Sequence, residues 1–536
     1  VSLDKVATAL ERYVTAWLAQ VAAPGAAVVV TDATNTIHLS VHGYRDACSR
    51  TPLAEDDLLQ IGSVSKAFAS IAALRLQEQG RLTIDDPVTR HLPWFDVPSS
   101  YDPILLWHLM THTAGIINGT DWTTEAEYEI RALRDSEATA PPGDLYHYSN
   151  AGYKTLGLVL EALWDLPVAQ VLERELLAPL GMDSSLGRIA NADRRLLAPP
   201  HVPFYDDRAW RPAHGLAPAT WAESTTADGS ICSTAGDMAH YLRMLLNRGR
   251  GDVAQVISEE SFDLLVGRAV DSPEYEDGSR YGLGVLLTED EGERYLRHGG
   301  STIGYTCGMR VNVDAGLGVM VLTNGTADTA PVQRYAIGLV RAAIAGTKPP
   351  SPPPLPDATP DATRYVGAYG SPDGTIVVAA NGGALMVARD GGTSVPLLRG
   401  DDEVFVPDGD EWEPFPLRFR GDGDHAVAIT HGARVYTRED VALVPATGTD
   451  WAAFVGHYRA HDPWYSNFRI VDRGGALVLI WGWGLEERLE PLPDGSFRAG
   501  KDPRLPERVR FEDRADGAPV LRVNYSGLDL FRSFTA

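Results

Sequence analysis

The sequence predicts a mixed helix-and-strand domain, α/β or α+β, followed by two small antiparallel β-barrels in tandem. Three observations carry this prediction. Residues 348–360 read KPPSPPPLPDATP, with seven prolines after the lysine; fixed φ angles and missing N–H donors make this a semi-rigid extended linker. Upstream of it, β-rich runs are interspersed with stretches of strong helix formers. Downstream, two segments recur in the same order: 365–369 (YVGAY) resembles 454–458 (FVGHY), and 381–387 (NGGALMV) resembles 473–479 (RGGALVL). Short β-type runs between Gly/Asp turns fill both halves, as in a duplicated barrel. The expected units are 1–345, a linker at 346–362, and barrels at 363–445 and 446–536.

In chain order, 26–31 and 36–41 are β-rich and flank the polar stretch 32–35, which predicts a hairpin. Residues 66–79 (KAFASIAALRLQEQ) are helix formers ending at Gly80, a good C-terminal cap. Residues 152–163 and 238–247 also read as helices, and 317–322 (LGVMVL) as a buried strand.

At about 150 residues per domain, 536 residues agree with three or more domains. Acidic residues number 72 against 47 basic ones, a net charge of −25. That balance argues against nucleic acid and against an anionic membrane surface as partners. A hydrophobic share of 44% excludes global disorder. Three distant cysteines imply neither a disulfide framework nor a zinc site. Residues 1–17 read as an amphipathic helix and not as a signal peptide, and no apolar run approaches 18 residues. The expectation is a soluble, cytoplasmic protein without cofactor or metal. Only five of the basic residues are lysines: Lys5, Lys66, Lys154, Lys348 and Lys501. Arginine keeps its proton at working pH and lysine can lose it, so each lysine draws attention.

The strongest chemical signal is Ser63-Val64-Ser65-Lys66. A spacing of three puts Ser63 and Lys66 on one helical face. Ser63 in the first turn would feel the positive end of the helix dipole and could offer its own N–H to an oxyanion. A buried Lys66 could take the Ser63 proton. The spacing alone is weak, since Ser2-Leu3-Asp4-Lys5 matches it too. A second element is Tyr148-Ser149-Asn150, after the turn at 141–144 and before a helix; a tyrosine beside an ammonium can carry a proton, and an amide can orient the pair. Tyr465-Ser466-Asn467 is a chance counterpart. The third is His298-Gly299-Gly300-Ser301, where glycines at a strand edge admit a substrate backbone and Ser301 N–H could complete the oxyanion hole. His108 and His112, four apart, are assigned to helix packing in preference to metal binding, and Asp85-Asp86 to a turn.

Taken together, the three elements resemble the serine β-lactamase and penicillin-binding-protein group, in particular class C-like serine hydrolases. The family pattern S-x-x-K, Y-x-N and H/K-x-G matches Ser63/Lys66, Tyr148/Asn150 and His298/Gly300. Residues 106–115 (LWHLMTHTAG), 179–182 (PLGM) and 281–284 (YGLG) resemble further family blocks. The resemblance spans about residues 1–345 and implies an α+β catalytic domain, an antiparallel sheet with a helical region. The whole architecture is most similar to bacterial D-aminopeptidase, which implies two eight-stranded, lipocalin-like barrels. It also implies that a loop of the second barrel approaches the active site, with Trp481 and Trp483 as candidates; the alternative, favoured for at least one of them, is a core or turn residue of the barrel.

The expected catalytic residues are therefore Ser63, Lys66 and Tyr148, with Asn150, His298, Gly299, Gly300 and Ser301 binding substrate or oxyanion. The expected function is acyl-enzyme hydrolysis by an aminopeptidase or amidase acting on short peptides or amino-acid amides, with D-preference implied by resemblance alone. Alternatives are a penicillin-binding-protein-type thioesterase that cyclises nonribosomal peptides, an esterase, and a non-enzymatic β-lactam or peptidoglycan-fragment sensor. His298, where classical β-lactamases carry lysine, weakens a β-lactam-destroying role. The expected partners are a small peptide or amide and a second copy in a homodimer, with neither nucleic acid nor membrane.

Overall fold

The computed structural model describes residues 3–119, 125–400, 403–421, 424–438, 451–512 and 520–533. A nine-stranded antiparallel sheet organises the N-terminal domain. Its strands are β1 (Gly25–Asp32), β2 (Thr36–Asp46), β3 (Thr51–Pro52), β4 (Val270–Asp271), β5 (Arg280–Tyr281), β6 (Leu286–Asp290), β7 (Glu293–Thr302), β8 (Tyr305–Asn312) and β9 (Leu317–Thr323), in spatial order β3-β2-β1-β9-β8-β7-β6-β5-β4. The expected hairpin is β1–β2, and the expected buried strand is β9, paired to β1 with Val28 opposite Val321. The antiparallel sheet settles the fold class as α+β.

Both faces of the sheet are covered, and the period of two along each strand decides which side chain goes where. Ala26, Val28 and Val30 of β1, with Val319 and Val321 of β9, face one layer. That layer holds the N-terminal helix α1 (Leu3–Leu18), whose Val6, Leu10, Val14 and Trp17 form a single apolar stripe. Ala27 and Val29 point the other way, into the main core. There α2 (Ser65–Glu78) runs through the centre, buried on nearly every side, as a helix without a polar face must be. Around it lie α3 (Asn150–Trp164) and α4 (Ala235–Leu246). The helix that ends the domain, α5 (Ala330–Ala345), returns to α1. Of these, α2, α3 and α4 begin one to three residues before their expected starts, and Ser149 and Thr234 cap α3 and α4 through side-chain oxygens.

The proline-rich linker lies against the catalytic domain. Leu355 packs on the α1–α5 layer, and Asp357 N–H donates to Gln20 Oε1 at 3.1 Å. Beyond it are two closed eight-stranded antiparallel barrels, with strands from Gly367–Ser371 to Arg434–Thr437 and from Gly456–Arg459 to Leu528–Arg532. The expected boundary at 445/446 lies outside the described residues. The sequence repeat has a structural meaning. In the first barrel Tyr369 O–H donates to Tyr365 O at 2.7 Å; in the second Tyr458 O–H donates to Phe454 O at 2.8 Å. Gly382-Gly383 and Gly474-Gly475 both take positive φ at the two central positions of a two-residue hairpin turn. Aromatic side chains fill both interiors, Tyr365, Phe405 and Phe419 in one and Tyr458, Phe468 and Phe497 in the other.

Candidate active site

Backbone pairing assembles the site. Leu59 and Gln60 pair with Ser233 and Cys232, and Ile61 N–H donates to Ile231 O at 3.0 Å. Residues 228–233 thus run alongside the approach to Ser63. At Gly62 the chain adopts φ +48° and enters a short 3-10 turn, Gly62–Val64, that leads directly into α2. A Cβ on Gly62 would lie 2.7 Å from the backbone N of Ser301, and one on Gly300 would collide with Ile61 O. Glycine at both positions lets β7 press against the serine turn.

Lys66 is fully buried in the first turn of α2. Its Nζ donates to Ser63 Oγ at 2.9 Å and to the Asp228 carbonyl at 2.8 Å. The same Nζ stands 5.0 Å from the centroid of the Tyr148 ring. Tyr148 packs in turn on His112, with ring centroids 4.2 Å apart. His112 follows the short helix Leu106–Met110 at φ +58°. Its Nδ1 accepts Ser149 N–H at 3.0 Å, and burial, with the nearby Lys66, holds the ring neutral far below its ordinary pKa. His108 Nδ1 likewise accepts a backbone N–H, from Leu105. His112 thus shapes the Tyr148 loop, and His108 caps the start of the helix Leu106–Met110. Among the described residues no His/Cys/Asp/Glu group could hold a metal. Ser149 Oγ accepts Gly152 N–H and donates to Ile117 O, which sets Asn150 at the start of α3 with its N–H on Asn118 Oδ1.

Strand β7 pairs with β6 only as far as Arg297, but with β8 through Thr302. From His298 onward its β6-side edge is therefore open. The alternation of an antiparallel ladder turns Gly299 and Ser301 backbone groups to that edge. Ser301 N–H thereby comes beside the Ser63 turn, and two convergent N–H groups are what an oxyanion requires. His298 departs from its expected place at the substrate. Its Nδ1–H donates to Gly299 O at 2.6 Å and its Nε2 accepts the Tyr281 O–H at 2.8 Å. A carbonyl can only accept, so this pair of contacts fixes the tautomer. Burial pushes its pKa down to about 4. The ring is a neutral strut beneath the strand edge and not a cation for a carboxylate.

Ser63, Asn150 and Ser301 line one pocket, together with Asp228, Trp221 and two residues of the second barrel, Pro463 and Trp464. This corrects the expectation for Trp481 and Trp483. Strand alternation buries Trp481 in the barrel, and Trp483 stacks on it at 5.1 Å with its outer face exposed. The turn between them meets the loop at Asp206, where a Cβ on Gly482 would strike the Asp206 carbonyl. The second barrel also reaches the catalytic loops from behind. Glu507 is buried, and its Oε1 accepts from Asn118 N at 3.0 Å and from His147 Nε2 at 2.9 Å. Burial opposes a charge on His147, but Glu507 and Glu274 outweigh it and raise its pKa to about 10. One carboxylate from the barrel thus holds the residue beside Tyr148 and the residue that orients Asn150.

These elements, a serine bonded to a buried lysine beside an open glycine-rich strand, agree with the family match over residues 10–342 to the model described as Beta-lactamase. The chain belongs to the beta-lactamase family. It is a serine hydrolase of that family. Among relatives, Protein Rv1367c of Mycobacterium tuberculosis is 29% identical over 269 residues, covering 45% of this chain and 67% of that protein. The octameric penicillin-binding protein homologue from Pyrococcus abyssi superposes with a TM-score of 0.59 at 21% identity, over 82% of this chain and 100% of the other. The D-amino acid amidase from Ochrobactrum anthropi SV3 gives 0.53 at 21% identity, over 64% and 99%. These two superpositions speak for the fold.

Asp228, Trp464 and Glu507 have no sequence motif in the family pattern. Asp228 is brought in by the 59–60/232–233 pairing, and the other two by docking of a barrel that lies beyond the linker.

Proposed function

We propose that this chain is an aminopeptidase or amidase that cleaves short peptides or amino-acid amides through an acyl-enzyme on Ser63. The observation that carries the reading is the 2.9 Å contact between Lys66 Nζ and Ser63 Oγ beside the open edge of β7. In this reading Ser63 Oγ attacks the carbonyl carbon while its proton passes to the Lys66–Tyr148 pair. The oxyanion is held by the N–H groups of Ser63 and Ser301. The same pair returns the proton to the leaving amine, and water then cleaves the ester. An extended substrate lies along the open edge, where β7 offers backbone donors and acceptors. The neutral His298 supports amide substrates over those needing a fixed cation at that position. The name of the Ochrobactrum neighbour supports a D-amino-acid acyl group.

The test is a panel of D- and L-aminoacyl amides with wild type and Ser63→Ala. Loss of turnover in the variant and faster cleavage of D-substrates are expected. Full activity in Ser63→Ala would overturn the mechanism, and strict L-preference would overturn the stereochemistry.

A further inference from the structure

The charges around the pocket are distributed unevenly. Its cations are committed: Lys66 donates to Ser63 and to the Asp228 carbonyl, and Lys154 is ion-paired with the buried Glu129 at 2.7 Å. Among the described residues no arginine lines the pocket. On the acidic side, Glu223 accepts the Asn191 N–H. Asp228 is different. It lines the pocket with 8% of its surface exposed, its Oδ1 has no hydrogen-bond partner, and among the described residues its carboxylate makes no ion pair. A buried carboxylate oxygen left without a donor is costly and persists where something else supplies one.

Its position says what that something is. Asp228 and Ser63 share Lys66 Nζ, one through its carbonyl and one through Oγ. Gly229, the next residue, packs on Gly62. The Asp228 main chain therefore lies close to the serine that receives the acyl group, and the residue lines the same pocket. In an α-amino-acid amide the ammonium nitrogen is separated from the scissile carbonyl carbon by a single carbon. A free α-ammonium is thus the one substrate charge that every such molecule carries at this range.

We propose that Asp228 is the ammonium-binding residue of the acyl subsite, selecting substrates with a free α-amine over their N-acylated forms. This rests on the amidase reading above and names what that site recognises. Charge-assisted hydrogen bonds of this kind contribute roughly tenfold or more to recognition.

The experiment compares wild type, Asp228→Asn and Asp228→Ala on alanine p-nitroanilide and on N-acetylalanine p-nitroanilide, each in D and L forms. The expected result is at least a tenfold rise in KM for the free-amine substrate in both variants, with the N-acetyl substrate changed less than about twofold. Equal losses on both substrates would overturn the subsite. So would accumulation of an acyl-enzyme in Asp228→Asn, which would make the carboxylate a base for deacylation. If the variants do not fold, inhibition of wild type decides: an alkylammonium ion should compete with substrate where the alcohol of the same shape does not, and equal inhibition overturns the proposal. Wild type that cleaves only the N-acetyl substrate would sink the aminopeptidase reading while leaving Ser63 acylation intact, so the two failures are distinguishable.

Discussion

The two barrels share strand order, closure and the same glycine turns, yet they meet the catalytic domain in different ways. The first docks on the loop around 204–214 through ionic contacts: Arg211 with Asp408, Asp410 and Glu413, Arg208 with Glu413, and His214 with Glu413. None of these groups lines the Ser63 pocket. The second barrel supplies a wall of that pocket and a buried carboxylate behind the Tyr148 loop. Both copies thus brace the 204–214 loop, the second through Arg459–Asp206 and Arg469–Asp207, and the second also forms part of the active site. Loops, and not the barrel framework, make the difference.

The largest effect should come from Glu507. Truncation to alanine leaves the half-buried Asn118 N–H and the His147 ring without their acceptor, and kcat should fall on the order of 10- to 100-fold while the fold is retained, read by amide kinetics and circular dichroism. Glu507→Gln should fall between. The His147 pKa lies near 10, above its ordinary 6.5, so the stability it adds is fully present below about pH 6.5 and is lost as pH rises through about 10. The charged groups facing it are Glu274 and Glu507, with the half-buried Glu487 farther off. NMR titration of His147 should show its pKa moving down in Glu507→Gln; an unchanged value would break the assigned coupling.

Next in size is Trp464. Its backbone N–H is held by Asp462 Oδ1 at 2.8 Å, so the wall is built and not merely near. Trp464→Ala should raise KM several-fold, with kcat within about threefold. A loss in kcat alone would mean that the wall positions the machinery and not the substrate.

The smallest effect on activity belongs to the first barrel. Arg211→Ala removes the centre of its ionic dock and should lower thermal stability by about 1–3 kcal/mol, with kcat/KM within twofold. A tenfold loss of activity would erase the distinction between the barrels. His298 provides a separate check within the catalytic domain. Its pKa is pushed down to about 4, so the stability its neutral form contributes is present above about pH 6.5 and is lost as pH falls through about 4, which acid-denaturation curves of wild type and Tyr281→Phe would show.

Local spacing made much of the site legible. Ser63 and Lys66 meet because three residues are one helical turn, and Tyr148, Ser149 and Asn150 stand where a serine cap starts α3. The repeat was readable from the shared order and spacing of two segments, whose paired glycines adopt the positive φ that the hairpin turn needs. Residues whose roles depend on long-range docking left no such trace. Glu507 lies more than 350 residues from His147, and no periodicity announces their contact. Trp481 and Trp483 stood out through the resemblance, as an aromatic segment after a strand, yet alternation along the strand sends the first into the barrel core. His298 was legible as a strand residue, while its contact with Tyr281 depends on how β5 and β7 are set in the sheet.

The central claim is that Ser63 carries an acyl group during turnover. Intact-protein mass spectrometry after brief mixing with a D-aminoacyl amide tests it most directly. The account predicts a mass increase equal to the aminoacyl group, mapped to the peptide containing Ser63 and absent in Ser63→Ala. Turnover without that adduct in wild type under acid quench, or an adduct that persists in Ser63→Ala, would contradict it.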